Sequence, residues 1–143
     1  MLACAGLKRL GLADRITRSI DTGAMLPAIG QGIIGIETRL DDARVSELLA
    51  PLHDGETAVR LAAERSLNAT LAGGCQAPVA GHAVLDGGEL RLRGLVGWPD
   101  GSSIVRGEVS GDAVDADSLG RALAEDLLTR GARPILDALL AGS

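Results

Sequence analysis

The sequence predicts an α+β fold in which a three-stranded antiparallel sheet is covered on one face by helices. Two observations predict it. Between residues 79 and 109 the hydropathy alternates with a period of two, whereas the segments on either side carry apolar residues at helical spacing. The 143 residues are 46% apolar, which is enough to bury a core in a domain of this size.

Three strands are predicted, over residues 79–85, 89–98 and 103–109. The sequences between them, Asp-Gly-Gly at 86–88 and Pro-Asp-Gly-Ser at 99–102, are typical of turns. Within the second strand Leu90, Leu92, Val96 and Trp98 share one parity, and Arg91 and Arg93 share the other. We therefore expect one face of the sheet to contact the helices and the opposite face to carry the arginines.

Aspartates indicate where most of the helices begin, because a carboxylate caps the free N–H groups of a first turn. Asp41-Asp42 precedes a predicted helix that reaches about Leu52, and Asp54 precedes one from Glu56 to Leu71. Asp115 or Asp117 begins a helix that carries Leu119, Leu123 and Leu127, and a last helix from Ala132 to Leu140 is separated from it at Gly131. In the Glu56–Leu71 helix the apolar face is predicted at Ala58, Leu61, Ala62, Arg65 and Ala69.

The first 52 residues have a different pattern. Residues 1–12 are predicted to be the C-terminal part of a helix with Cys4, Leu7 and Leu10 on one face, and its start without an N-cap suggests a longer protein. The β-branched residues from Ile33 to Thr38 predict a buried strand. Glycines 30, 32 and 35 match the letters of a dinucleotide fingerprint, but they precede a strand rather than a helix, which argues against a nucleotide site.

Composition excludes several classes of function. The net charge of −5 argues against a nucleic-acid partner. No apolar run approaches a membrane span and no secretory signal is present, so we expect a cytoplasmic protein without a membrane partner. Cys4, His53, Cys75 and His82 lack the spacing of a metal site, so no metal is expected.

Cys75 is the residue best placed for chemistry. Gly73 and Gly74 leave no side chain beside its thiol, so a bulky group could approach the sulfur. Three interpretations stay open at this point. Cys75 is a reactive thiol, or an incidental small residue in a non-catalytic α+β ligand-binding or interaction module, or part of a thiol redox sensor that uses Cys4 as its resolving cysteine.

Three segments together resemble the porphobilinogen deaminase (hydroxymethylbilane synthase) family, and the resemblance is to its C-terminal portion only. They are Ala-Gly-Leu-Lys-Arg-Leu-Gly at 5–11, Leu-Pro-Ala-Ile-Gly-Gln-Gly at 26–32 with Gly-Ile-Glu at 35–37, and Glu-Arg through Gly-Gly-Cys to Pro at 64–78. Ala77, Ala80 and Thr38 depart from the family's usual residues, and none of them is the thiol.

The resemblance implies a cytoplasmic transferase of porphyrin, haem and tetrapyrrole biosynthesis. Cys75 would carry a covalent dipyrromethane cofactor through a thioether. Four porphobilinogen units would be added to it with loss of ammonia, and the resulting linear tetrapyrrole is the precursor of haem. Arg9 would bind cofactor carboxylates and Gln31 would lie near the cleft. The family's catalytic aspartate belongs to the portion upstream of this sequence, so no catalytic residue is assigned here.

The resemblance also implies how the chain is organised. Residues 1–25 would end the family's second domain, residues 26–52 would return to the first as a strand and a helix, and residues 53–143 would form the cofactor-bearing α+β domain. The first two stretches would thus be fragments of two α/β domains. Porphobilinogen and the growing oligopyrrole would be the partners of the whole enzyme, whose family members look monomeric. This portion alone is predicted to be inactive and prone to self-association.

Overall fold

The computed structural model describes residues 2–71 and 77–140. A three-stranded antiparallel sheet, in the order β1-β2-β3, follows three helices and precedes two more within these residues. The elements are α1 (Cys4–Arg9), α2 (Ala43–Leu49), α3 (Gly55–Thr70), β1 (Val79–Asp86), β2 (Glu89–Gly97), β3 (Ile104–Asp112), α4 (Ala116–Leu127) and α5 (Arg133–Leu140). The predicted α+β class and all three strands of the meander are confirmed.

The core lies between the sheet and the helices that cover one of its faces. Leu90, Leu92 and Val96 of the central strand β2 are each 0% exposed, and they contact α3 and α4 through a cluster of leucines. Arg93 lies on the other face, as its parity predicts, and its guanidinium donates to the hydroxyl of Thr22 at 3.3 Å. Residues near Thr22 therefore lie against the sheet face that the helices leave open.

Helices α3 and α4 cross at very short range. A Cβ atom at Gly120 of α4 would lie 2.4 Å from the carbonyl oxygen of Ala63 and 2.6 Å from Cβ of Ser66, both in α3. The Ser66 hydroxyl donates to the Asp117 carbonyl at 2.7 Å across the same crossing. Only glycine at position 120 permits this approach, which brings two main chains into contact.

The predicted apolar face of α3 is wrong. Ala62, Arg65 and Ala69 are exposed, whereas the buried face contains Ala63 and Leu67 together with two polar residues, Glu64 and Ser66. Hydropathy gives the wrong helix face because Glu64 and Ser66 are both hydrogen-bonded inside the protein, so their burial does not leave a polar group without a partner.

The predicted helix starts at Asp42 and Asp54 are confirmed. The Asp42 carboxylate accepts from the Val45 N–H at 3.1 Å, and that of Asp54 accepts from the Thr57 N–H at 2.7 Å. Helix α1 ends as predicted near Gly11, which has a φ of 72°, with the Leu12 N–H donating to the Leu7 carbonyl at 2.8 Å. Gly131 separates α4 from α5 with a φ of 108°.

The strand predicted over Ile33–Thr38 does not form. This segment has no regular secondary structure, and Ile34 is 87% exposed. A strand needs a neighbouring strand to pair its N–H and C=O groups, and this segment pairs with none of the three strands in the described residues. The β-branched residues favour an extended chain but cannot supply that partner.

None of the helices in the described part of the chain is long and apolar enough to cross a membrane.

The crossing at Gly120 gives a direct test of the packing. We expect Gly120→Ala to lower the free energy of unfolding by about 1–3 kcal/mol, because the added methyl group would overlap the α3 main chain. Urea denaturation measures it. Gly55→Ala in the first turn of α3 is the matched control, since a Cβ there meets no atom within 4 Å. Equal stability of the Gly120 variant and the wild type would contradict the close crossing.

Candidate functional site

The buried carboxylate of Glu64 joins three parts of the structure. Its side chain is 6% exposed and projects from α3 toward the edge of the sheet. One oxygen, Oε1, accepts a hydrogen bond from the Ala83 N–H of β1 at 2.8 Å. The other, Oε2, accepts from the Gly30 N–H at 2.7 Å. A single side chain thus links α3, β1 and the segment that precedes α2.

The edge of β1 explains why an acceptor is needed there. β1 pairs with β2 on one side only, so the N–H groups on its other side have no strand partner. The Ala83 N–H donates to Glu64, and the Gly81 N–H donates to the Pro27 carbonyl at 3.1 Å. The carboxylate and the Pro27 carbonyl therefore replace a fourth strand along this edge.

The segment from Pro27 to Gln31 is held on the sheet by packing as well as by hydrogen bonds. Ile29 contacts the core over Gly81, where a Cβ atom would lie 2.7 Å from its Cδ1 atom. Gly30 has a φ of 69°, in the left-handed region that favours glycine. Gln31 follows directly and is exposed. The main chain on its N-terminal side is thus fixed, while its amide side chain stays accessible.

An open groove of about 970 Å³ lies between residues 31–38, α2 and the N-terminal half of α3. Isoleucines and leucines form much of its wall, and Gln31, Glu64 and His82 are among its polar lining residues. His82 Nδ1 lies 3.8 Å from Glu64 Oε1. The groove combines apolar and polar side chains, as surfaces that bind small molecules or other protein segments do.

Arg60 and Asp54 also line this groove. The Arg60 guanidinium donates to the Thr57 hydroxyl at 2.8 Å and to the Glu56 carbonyl at 3.3 Å, both neutral oxygens. Asp54 is exposed, and hydrogen bonds from the side chain and the backbone N–H of Thr57 lower its pKa below the ordinary value of 3.8.

The structure places the three predicted site residues differently. Gln31 lines the groove. Arg9 is the last residue of α1, is exposed, does not line the groove and forms no ion pair with any residue in 2–71 or 77–140. Cys75 lies outside the described residues, between the end of α3 and Ala77, so its relation to Arg9 and Gln31 stays a prediction. Within the described ranges, no group of His, Cys, Asp or Glu side chains could hold a metal ion.

Glu64 is the residue that sequence reasoning missed. The acidic residues looked scattered over caps and helix faces, and hydropathy alone places a glutamate in solvent. One signal pointed to it: Glu64 begins the segment 64–78 that resembles the family most strongly. The partners at Gly30 and Ala83 lie 34 and 19 residues away, and both are backbone groups that no side-chain pattern reveals.

Asp54 gives a prediction about pH. The pKa of Asp54 is lower in the folded chain than in the unfolded chain, so the unfolded chain binds more protons near and just below pH 3.8. The stability that the ionised cap contributes is therefore lost as pH falls through the lower, folded pKa. We expect Asp54→Asn, which keeps an oxygen at the cap but does not titrate, to weaken the fall of the unfolding free energy between about pH 4 and pH 2. Urea denaturation across this range tests it, and an unchanged pH dependence would contradict the assignment.

Comparison with known families adds two matches. Residues 58–129 match the porphobilinogen deaminase C-terminal domain, and residues 1–47 match the porphobilinogen deaminase dipyromethane cofactor binding domain. The first match contains Glu64, Cys75 and β1, and the second contains Arg9 and Gln31. The matches lie in separate parts of the chain, and each supports the same family. We conclude that the chain belongs to the porphobilinogen deaminase family, whose members are transferases of tetrapyrrole biosynthesis.

Proposed function

We propose that this chain is the C-terminal part of a hydroxymethylbilane synthase and that Cys75 carries its dipyrromethane cofactor through a thioether. The observation that carries the proposal is the pair of family matches, because one is to the cofactor-binding domain and the other covers Cys75. The sequence around the thiol supports it. Gly73 and Gly74 precede Cys75 and leave its sulfur uncrowded for a pyrrole substituent.

The described residues suit a ligand that carries carboxylates. Dipyrromethane and porphobilinogen bear acetate and propionate groups, which need cationic or amide donors. Arg9 is exposed and has no carboxylate partner within the described ranges, so its guanidinium is free to bind a carboxylate in bidentate geometry. Gln31 is exposed beside a fixed main chain and offers an amide N–H. These two residues are the proposed cofactor contacts outside Cys75.

When bound, the dipyrromethane supplies the pyrrole carbon to which four porphobilinogen units are added, each with loss of ammonia. In the proposed mechanism the chain's own residues anchor and orient the bound cofactor. The Cys75 thiolate, a soft nucleophile, would hold the cofactor through a thioether, formed when the sulfur bonds to the methylene carbon from which porphobilinogen has lost ammonia. Arg9 neutralises carboxylate charge and Gln31 adds a directed hydrogen bond, and both contacts help to position the reacting end.

The proposed domain organisation of the chain follows that of the family. In our proposal residues 53–143 form the cofactor-bearing domain, residues 26–52 belong with the first domain and residues 1–25 end the second. The contacts of Gly30 with Glu64 and of Pro27 with Gly81 support a junction at which residues 26–52 meet the cofactor-bearing domain. We place the enzyme in the cytoplasm.

Catalysis is proposed to need the residues that precede this sequence in the family. The aspartate that stabilises charge on the pyrrole nitrogens lies there, and positioned charge supplies much of an enzyme's rate enhancement. Exposed apolar side chains also support the proposal that the active enzyme needs further residues to cover this surface. Ile34 is 87% exposed, and Leu48 and Leu52 are each 68% exposed. Apolar surface of this kind favours self-association of the isolated 143 residues.

The mass of the Cys75 peptide tests the proposal. We expect protein purified from its native source to carry a dipyrromethane on the peptide that contains Cys75, and Cys75→Ser to abolish the added mass. Cys4→Ser is the matched control, because Cys4 is the other cysteine of the chain and should leave the adduct in place. Intact-mass spectrometry followed by peptide mapping measures both.

Three results would overturn parts of this account. A bare Cys75 in protein purified from its native source would exclude the thioether and favour a non-catalytic binding module with an incidental thiol. An oxidant-dependent link between Cys4 and Cys75 would favour a redox sensor. Turnover of porphobilinogen by the 143 residues alone would show that the upstream aspartate is dispensable. We expect no such turnover.

A further inference from the structure

We propose that Glu64 is a positioning residue, whose carboxylate fixes Gln31 relative to the strand that follows Cys75. The inference rests on the proposed function, because it concerns how Gln31 is presented to a ligand on Cys75. It goes beyond that function by assigning a role to a carboxylate that does not itself contact the ligand.

The geometry of the two hydrogen bonds carries the argument. Oε2 of Glu64 accepts from the N–H of Gly30, the residue directly before Gln31, at 2.7 Å. Oε1 accepts from Ala83 in β1 at 2.8 Å, and β1 begins at Val79, four residues after Cys75. The two oxygens of one carboxylate therefore set the spacing between the main chain next to Gln31 and strand β1, the strand that follows Cys75 in the sequence.

The backbone around Gln31 transmits this constraint. The Gln31 N–H donates to the Ala28 carbonyl at 3.1 Å, and the Ile33 N–H donates to the Gly30 carbonyl at 3.1 Å. Gln31 thus lies between two turn hydrogen bonds, and the peptide that joins Ile29 to Gly30 is held by Glu64. Glu64 therefore fixes the main chain one residue before Gln31.

Burial and charge indicate that stability alone does not explain this residue. A carboxylate that is 6% exposed is costly to desolvate, and its nearest cationic candidate in the described ranges is His82, 3.8 Å away. The same segment is already held by Ile29 in the core and by the Pro27 to Gly81 hydrogen bond. An apolar side chain could fill the space, but it could not orient two N–H groups at once.

Amide hydrogen exchange on this chain tests the placement without any activity assay. In Glu64→Gln the amide NH₂ group cannot accept a hydrogen bond, so one of the two N–H groups loses its acceptor. We expect exchange at Gly30 or Ala83 to accelerate by about tenfold or more, with exchange at core amides such as Leu92 unchanged. Glu56→Gln in the exposed first turn of α3 is the matched control.

Glu64→Asp provides a second variant if Glu64→Gln does not fold, since it keeps the charge and shortens the reach by one methylene. It too should accelerate exchange at Gly30 or Ala83. Unchanged exchange at both amides, or equal acceleration throughout the domain, would overturn the positioning role.

A double-mutant cycle in the complete enzyme tests the functional consequence. We expect Glu64→Gln to lower kcat/KM by about tenfold, and the Glu64→Gln/Gln31→Ala double variant to fall within about twofold of Gln31→Ala alone, because Glu64 acts through Gln31. Multiplicative losses would overturn the inference. The mass of the Cys75 peptide distinguishes failure of the proposed function from failure of this inference. If wild-type enzyme carries no dipyrromethane, the proposed function is wrong. If it carries the dipyrromethane but the losses of the two variants multiply, only the positioning role of Glu64 is wrong.

Discussion

A buried carboxylate requires hydrogen-bond donors, and the donors for Glu64 come from main chains on either side of α3 in the sequence. Gly30 precedes it by 34 residues and Ala83 follows it by 19. This requirement connects the segment before α2 with the domain built on the sheet. Besides this carboxylate, the packing of Ile29 and one backbone hydrogen bond at Pro27 hold the residues that precede Gln31 on the sheet. The candidate site and the edge of β1 therefore depend on the same side chain.

Trp98 is the only aromatic residue of the sequence, and the buried core consists mainly of leucine and alanine. Leucine methyl groups of the helices fill the space above glycines in the sheet. A Cβ atom at Gly94 would lie 2.9 Å from Leu67 Cδ2, and one at Gly107 would lie 2.8 Å from Leu123 Cδ1. Small residues on the sheet thus let the helices pack close to the strands, which keeps α3 near enough to β1 for Glu64 to reach its edge.

Local chemistry predicted most of the fold. Local signals determine structure over a few neighbouring residues. The period-two hydropathy and the Asp-Gly-Gly turn predicted β1 to β3, and the caps at Asp42 and Asp54 predicted the starts of α2 and α3. The strand over Ile33–Thr38 was wrong because pairing depends on a neighbour that residue type does not supply. The burial of Glu64 was missed because its partners are distant backbone groups.

The candidate site, too, could be predicted from the sequence only in part. The resemblance to a family placed Arg9, Gln31 and Cys75 in one function, and the family matches support that grouping without testing any contact. Sequence reasoning did not find the residue that holds Gln31 in place. A sequence motif indicates which side chains a reaction needs. It does not indicate the hydrogen bonds to the main chain that fix the relative positions of those side chains.

A crystal structure of the complete enzyme with its cofactor would test the central claim most directly. The account predicts that both oxygens of Glu64 accept from Gly30 and Ala83, and that the Gln31 amide lies within hydrogen-bond distance of a carboxylate on the group attached to Cys75. A structure in which Glu64 binds neither N–H, or in which Gln31 points away from that group, would contradict it.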